Sequence, residues 1–225
     1  MANLFPKATN LIVLKAGLAL GVLGGLVVAA VWYYATPKYS RVGYQPVQPV
    51  AFQHDIHVGQ LGLDCRYCHS FVESSGYSNY PATQTCMNCH RQVQVDNPRL
   101  APVRESWATG KPIAWVKIHN VPDYAYFNHS AHVNRGVSCA SCHGKVNEMK
   151  VVYQDQPQSM GWCLNCHRNP QEYVRPLAAD QPGGLSPIYN LDWTPPPGTT
   201  QTELGKKLVH DLKINPPKDC AGCHR

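Results

Sequence analysis

No cysteine of this 225-residue chain stands outside a Cys-x-x-Cys pair. The chain has no glycine-rich phosphate loop, no dinucleotide fingerprint and no Gly-x-Ser-x-Gly elbow, which removes the usual forms of nucleotide-dependent and serine-hydrolase chemistry. Charged residues make up only 15%, and there are only four methionines. Ten cysteines in this length fall below the density of a small disulfide scaffold. A conventional enzyme fold is therefore not expected, and the pairing of the cysteines becomes the main signal.

The five pairs are Cys65/Cys68, Cys86/Cys89, Cys139/Cys142, Cys163/Cys166 and Cys220/Cys223. Each is followed at once by a histidine: His69, His90, His143, His167 and His224. Cys-x-x-Cys-His is the attachment pattern of c-type haem. Two thiols one helical turn apart form thioethers with both haem vinyl groups, and the next residue places an imidazole under the iron. Zinc sites and redox dithiols need the cysteines but not the histidine. With 11 His in 225 residues, five chance hits in five have odds on the order of one in a few million. Five covalent haems are expected. Since haem is attached to such motifs outside the cytoplasm, the bulk of the chain is expected on the periplasmic side.

Six histidines remain, and a repeat selects among them. Phe52-x-His54-x-x-His57 precedes Cys65, and Phe127-x-His129-x-x-His132 precedes Cys139. The first His lies 11 residues before its Cys in one copy and 10 in the other, and a second haem motif follows each. Residues 52–90 and 127–167 thus read as two copies of a two-haem module. A reduced copy, Leu208-x-His210, stands 10 residues before Cys220, with Lys213 in place of the second His. Five distal histidines then match five irons. The spacing assigns His54 to the first motif, His129 to the third and His210 to the fifth. His57 and His132 reach the second haem of either module, and the spacing leaves their pairing open. His119 is left over, either as a surface residue or as a substitute for one of the five. Met149 and Met160 are the only thioethers available as ligands. Core packing is the plainer use of each, while a His/Met haem would sit at higher potential than its neighbours.

Residues Ala16 to Ala35 carry no charge. As a helix these 20 residues span about 30 Å, enough to cross a bilayer core. Lys15 can snorkel, and Trp32, Tyr33 and Tyr34 close the segment as an interfacial belt. The run exceeds the usual signal-peptide core of about 7–15 residues. A retained anchor over 1–36 is expected despite a weak Val28-Ala29-Ala30 cleavage site. Lys7 and Lys15 on one side and Lys38 and Arg41 on the other leave orientation to the haem argument. Gly17, Gly21 and Gly25 form overlapping Gly-x-x-x-Gly steps, which either accept a neighbouring helix or reflect the abundance of glycine in membrane helices.

The remainder, 37–225, reads as one haem domain: the two modules, a Pro-rich segment 168–202, and a fifth haem unit 203–225. About 190 residues for five haems is too little protein for a conventional core, so the porphyrins supply much of the buried apolar surface. Loops and short helices with little or no sheet are expected, with a short helix at each haem motif and a better one over Glu203–Lys213. The segment 168–202, with Pro170, Pro176, Pro182, Pro187 and Pro195–Pro197, reads as extended and superficial, wrapping the domain, docking a partner or serving as a plain linker. The formal charge of +6 is not a nucleic-acid signal, because ten haem propionates would bring it to about −4. Arg91, Arg168 and Arg225, each next to a proximal His, are candidates to clamp propionates.

Five six-coordinate irons leave no open site for substrate, so the chain reads as an electron carrier with no catalytic residue of its own. With one N-terminal anchor, five Cys-x-x-Cys-His motifs and paired Phe-x-His-x-x-His repeats, it resembles the pentahaem cytochrome c subunit of alternative complex III, a bacterial quinol:electron-acceptor oxidoreductase. The repeats are also similar to those of class III multihaem cytochromes. The resemblance implies integral membrane and iron–sulfur partner subunits, membrane lipid around the anchor, and a periplasmic acceptor such as a monohaem cytochrome in a respiratory or photosynthetic chain. A self-contained quinol dehydrogenase, similar to the anchored tetrahaem proteins of nitrate and nitrite respiration, is the alternative. Against it stand the haem count and the lack of a Met soon after His69. A pentahaem nitrite reductase would need Cys-x-x-Cys-Lys, and a reaction-centre haem subunit would need more Met ligands.

Overall fold

The computed structural model describes residue 6 and residues 8–35, 41–178 and 184–224. Lys7, Lys38, Pro182 and Arg225 lie outside the described residues, as does the expected boundary at 36/37. The chain divides into two units, Met1–Ser40 and Arg41–Arg225.

The first unit carries one helix, α1 (Thr9–Ala35). Its stretch Leu11–Ala35 is long and apolar enough to cross a membrane, as an anchor requires. The backbone hydrogen bonds of such a helix are satisfied internally, which lets it sit in lipid with apolar side chains facing outward. Those side chains are exposed all round. A Cβ added at Gly17, Gly21 or Gly25 would meet nothing within 4 Å.

The second unit is built from short helices: α2 (Cys65–Cys68), α3 (Thr83–His90), α4 (Ala101–Thr109), α5 (His129–Val133), α6 (Cys139–His143), α7 (Met160–Arg168) and α8 (Gln201–Asp211). A π-helical turn covers Asp55–Gln60, and 3-10 turns cover Pro98–Leu100, Val146–Glu148, Pro170–Glu172 and Cys220–Gly222. Among the described residues there is no strand, only the isolated bridges Ala125–His224 and Val137–Val174.

Four of the five haem-motif turns start at a side-chain cap. Asp64 accepts from the Arg66 amide, Ser138 from Ala140, Ser159 from Trp162 and Asp219 from Gly222. A cap satisfies one of the orphan amides of a first turn, which matters most in a helix only one turn long. α3 has Ala82 at this position and no side-chain cap. α8 begins two residues before the expected Glu203, because Thr200 and Glu203 form a capping box, and it ends at Asp211. Gly205 lets α8 lie against Pro170–Glu172; a Cβ there would run into the Gln171 carbonyl.

Among the described residues of the second unit, only ten apolar side chains are buried besides Pro187. Val72, Val133, Ile188 and Tyr189 form one cluster, with Cys65 and Cys139 against it. Val50, Met87 and Val103 form another, with Cys86, Leu100, Ile113 and Trp115. The first cluster corrects the reading of 168–202 as superficial. Val174, Pro187, Ile188, Tyr189 and Leu191 are buried. Between the prolines the segment carries β-branched and aromatic side chains that fill the space between the two modules, and composition alone hides them. Arg175 fastens this segment by donating from Nη1 to the carbonyls of Pro187 (3.1 Å) and Asn190 (2.9 Å).

Candidate haem sites

The two Phe-x-His-x-x-His repeats adopt the same local geometry. Phe52 meets His54 edge-on (4.7 Å, 84°) and stacks on His57 (4.4 Å, 26°). Phe127 meets His129 edge-on (4.8 Å, 85°) and stacks on His132 (4.7 Å, 30°). One phenyl ring thus braces two imidazoles that leave the backbone in different directions, an arrangement that an edge and a face of the same quadrupole both favour.

The histidine nitrogens are sorted by their hydrogen bonds. Nδ1 of His69 donates to the Asn79 carbonyl (2.9 Å), that of His90 to Val93 (3.0 Å), that of His167 to Pro217 (2.7 Å) and that of His224 to Tyr124 (3.2 Å). Nδ1 of His57 donates to Gln53 (2.8 Å), that of His129 to Gly76 (3.0 Å) and that of His132 to Asn128 (2.7 Å). A carbonyl can only accept, so the proton sits on Nδ1 and Nε2 keeps the lone pair a metal needs. Several of these carbonyls come from far along the chain. Gly76 of the first module orients His129 of the second, and the linker carbonyl of Tyr124 orients His224. Three rings differ: Nδ1 of His54 is buried with no partner, that of His143 meets His119 and that of His210 meets Asp211.

Burial keeps the key rings neutral. His143 is pushed down to about 3 by burial first, then by His119, His129, His69 and His54. His54 falls to about 4 by burial and by His69 and His57, against Asp55. His132 is lowered by burial, with His167 and His129 adding to it against the Asn128 carbonyl. Neutral imidazole is the form that ligates iron.

Three ring pairs stand opposite each other across a gap. His57 and His90 have centroids 6.1 Å apart, His129 and His143 6.4 Å, and His132 and His167 6.1 Å. A metal–imidazole bond of about 2 Å, with about 1.1 Å more from each ligating nitrogen to its ring centre, would put two axial rings about 6.2 Å apart. The spacing of these pairs therefore fits one iron between each, and the residues present fit haem. His54 lies near enough to His69 to depress its own ionisation. His210 stands apart: its side chain is 90% exposed on α8, its Nδ1 contacts Asp211 (3.1 Å), and no ring contact joins it to His224 among the described residues. His119, left over in the sequence, lies against a proximal ligand candidate, with its Nε2 3.3 Å from Nδ1 of His143. Met149 is buried, its backbone carbonyl accepting from the Asp55 amide (3.2 Å), and Met160 is 67% exposed at the start of α7. Arg91 donates to the Met87 carbonyl (3.2 Å) and lies over Trp107.

The cysteines are neighbours in a definite order. Cys68 is raised by burial and by Cys86 and Cys65 beside it. Cys65 and Cys139 pack against the same buried cluster. Cys142 is pushed up to about 12 by burial and by Cys166 and Cys163. Cys163 is raised by burial and by Cys223. The motifs therefore adjoin in the spatial order second, first, third, fourth, fifth.

The ten motif cysteines differ in exposure. Cys89 and Cys220 are exposed, whereas the other eight are partly covered. The reason lies in the order of the motifs. The second and fifth stand at the two ends of the line, so each has a neighbouring motif on one side only. Cys86 and Cys223 face those neighbours, and Cys89 and Cys220 are left open to solvent.

Comparison with known proteins agrees with this chemistry. Residues 50–104 and 125–225 match the family described as cytochrome c7 and related cytochrome c. The chain is 32% identical over 169 residues to the multiheme cytochrome c subunit of a menaquinone reductase from Nitratidesulfovibrio vulgaris, covering 64% of this chain and 79% of the relative. It is 30% identical over 115 residues to the cytochrome subunit of an acrylate reductase from Shewanella woodyi, covering 51% and 72%. A cytochrome c-552 from Maridesulfovibrio salexigens is 24% identical over 194 residues, 66% of this chain but only 39% of that relative. With the attachment motifs, the sorted imidazoles and a family match over most of its length, the chain belongs to the cytochrome c7 and related multihaem cytochromes c.

Proposed function

We propose that this chain is a five-haem electron-transfer subunit of a membrane quinol-oxidising complex of the alternative complex III kind. α1 anchors it, and the haem domain lies on the periplasmic face. The observation that carries the reading is the three imidazole pairs, each including the His of an attachment motif and each spaced to take one iron.

When bound, each haem supplies a one-electron iron couple, and the protein sets its spacing and environment. Cys65/Cys68, Cys86/Cys89, Cys139/Cys142, Cys163/Cys166 and Cys220/Cys223 would hold the five groups. The axial pairs would be His69 with His54, His90 with His57, His143 with His129, His167 with His132, and His224 with His210. The last pair rests on spacing alone. In seven of the ten rings (His57, His69, His90, His129, His132, His167 and His224) a carbonyl-bound Nδ1 proton would leave Nε2 free to hold the iron. Were every iron held by two histidines, none would keep an open position for substrate. Quinol chemistry then belongs to integral membrane and iron–sulfur partners, and a monohaem cytochrome c or similar periplasmic carrier takes the electrons.

A second reading reverses the traffic. The relative from Nitratidesulfovibrio vulgaris belongs to a menaquinone reductase by name, so electrons would enter from a periplasmic donor and leave toward quinone. One experiment tests both. The chain is purified alone in detergent, mixed anaerobically with a menaquinol analogue, and its c-type absorbance is followed. The expected result is no reduction at a catalytic rate until the membrane subunits are present. Fast reduction of the isolated chain sinks the proposal and makes the chain itself a quinol dehydrogenase. In the assembled complex, rapid haem reduction by quinol supports the first direction. Quinol formation driven by a reduced periplasmic cytochrome, with no haem reduction by quinol, supports the second.

A further inference from the structure

Four of the five proximal histidines donate their Nδ1 proton to a backbone carbonyl, whereas His143 has an imidazole, His119, in that place. The rings of His119 and His143 are 4.3 Å apart and nearly perpendicular, at 86°, so the in-plane lone pair of His119 Nε2 can receive the Nδ1 proton. A carboxylate lies near this pair: Asp155 is lodged against Gly144, the residue that follows His143. Gly144 has φ +67°, and a Cβ there would come within 2.6 Å of Asp155 Cγ. The glycine at this position both permits the backbone turn and makes room for the carboxylate. The third site thus has an outer layer of side chains where the other four have a peptide carbonyl.

We propose that His119 is a positioning residue for the third haem, one that lowers that haem's reduction potential by accepting the Nδ1 proton of His143. The inference rests on c-type haem at the third motif, as argued above. An imidazole nitrogen is a stronger acceptor than a peptide carbonyl. It draws the Nδ1 proton outward and leaves more electron density on Nε2, which stabilises ferric over ferrous iron. Outer-shell partners of metal-bound histidines act on the metal in this way, with effects of about 10–100-fold when removed. The third motif is the middle one in the spatial order, so its potential governs whether electrons pass through the line or pause there.

The test uses the full-length, haem-loaded protein. Intact mass first establishes five covalent haems in the wild type and each variant, and electron paramagnetic resonance establishes that all are low-spin. Fewer than five haems, or a high-spin site in the wild type, tells against the five-haem reading rather than against the role of His119. Redox titrations followed by absorbance and resonance then compare variants. In His119→Ala, one haem of five, carrying the signal of near-parallel axial rings, becomes easier to reduce by about tenfold in equilibrium constant, or about 59 mV for one electron. In His119→Gln, whose side-chain carbonyl can accept the same proton but less strongly than imidazole, that haem returns part of the way to its wild-type value. Asp155→Asn, which leaves the ring contact in place, gives a smaller shift of the same sign. Unchanged potentials in His119→Ala overturn the proposal. So does a new high-spin haem in that variant, which would make His119 an iron ligand. Equal shifts in His119→Ala and His119→Gln overturn it as well, since bulk and not hydrogen bonding would then be at work.

Discussion

The brace formed by Phe127 makes a quantitative prediction. Its ring touches His129 edge-on and His132 face-on. An aromatic pair of this kind contributes about 0.5–1.5 kcal/mol beyond area burial. Phe127→Ala should therefore loosen each of these two imidazoles by about 1 kcal/mol, or roughly fivefold. The assay is carbon monoxide binding to the fully reduced protein by stopped flow, in which release of a distal imidazole limits the rate. Two of the five haems are expected to bind about fivefold faster, and the other three keep the wild-type rate. Phe52→Ala should speed a different two, because Phe52 holds His54 and His57 in the same manner. The double variant should speed four of five and leave only the fifth site, which has no phenylalanine brace. A uniform acceleration of all five haems by Phe127→Ala would refute the reasoning, because it would report loosening of the whole domain. No acceleration at all would show that His129 and His132 are held by their Nδ1 bonds alone.

Further outcomes follow from the same geometry. Ser138→Ala should lower stability by about 2 kcal/mol in guanidinium unfolding, because the hydroxyl both caps α6 and donates to the Ile188 carbonyl at 2.8 Å in a buried site. A loss under about 0.5 kcal/mol would mean that water replaces it. Ring planes differ among the pairs, at 65° for His57/His90, 38° for His132/His167 and 6° for His129/His143. The oxidised protein should accordingly show at least one strongly anisotropic low-spin resonance from steeply crossed rings and one rhombic resonance from parallel rings, and five identical signals would contradict the pairing. Asp64 is held below its ordinary 3.8 by its hydrogen bonds to Arg66, against desolvation. Its contribution is complete above that ordinary value and is lost as the pH falls through the lower folded-state value. Asp64→Asn should therefore flatten the acid limb of the stability curve and leave the limb above pH 7 unchanged.

Much of the chemistry is legible in the sequence because covalent haem attachment is a local requirement. Two thiols and an imidazole must lie within one turn, so five adjacent residues carry the whole signal at each motif. The Phe-x-His-x-x-His repeat is legible for the same reason, and the uncharged run of α1 needs only length and polarity. The caps ahead of the motifs, Asp64, Ser138, Ser159 and Asp219, were equally available as local signals. Other features depend on residues far apart in the chain. Gly76 orients His129 across 53 positions, and Tyr124 orients His224 across 100. The burial of Ile188 and Tyr189 between the modules depends on where the segment returns, which proline content does not report. The exposure of Cys89 follows from its place at one end of the line of motifs, which the motif itself does not encode. His119 looked surplus because its partner, His143, lies 24 residues away and the bond between them joins distant segments. The sequence by itself determined which atoms can hold haem, since attachment is a short-range constraint. Only the tertiary structure decided which rings face each other, in what order the sites adjoin and which acceptor stands behind each ligand, because those relations are made by the packing of distant segments.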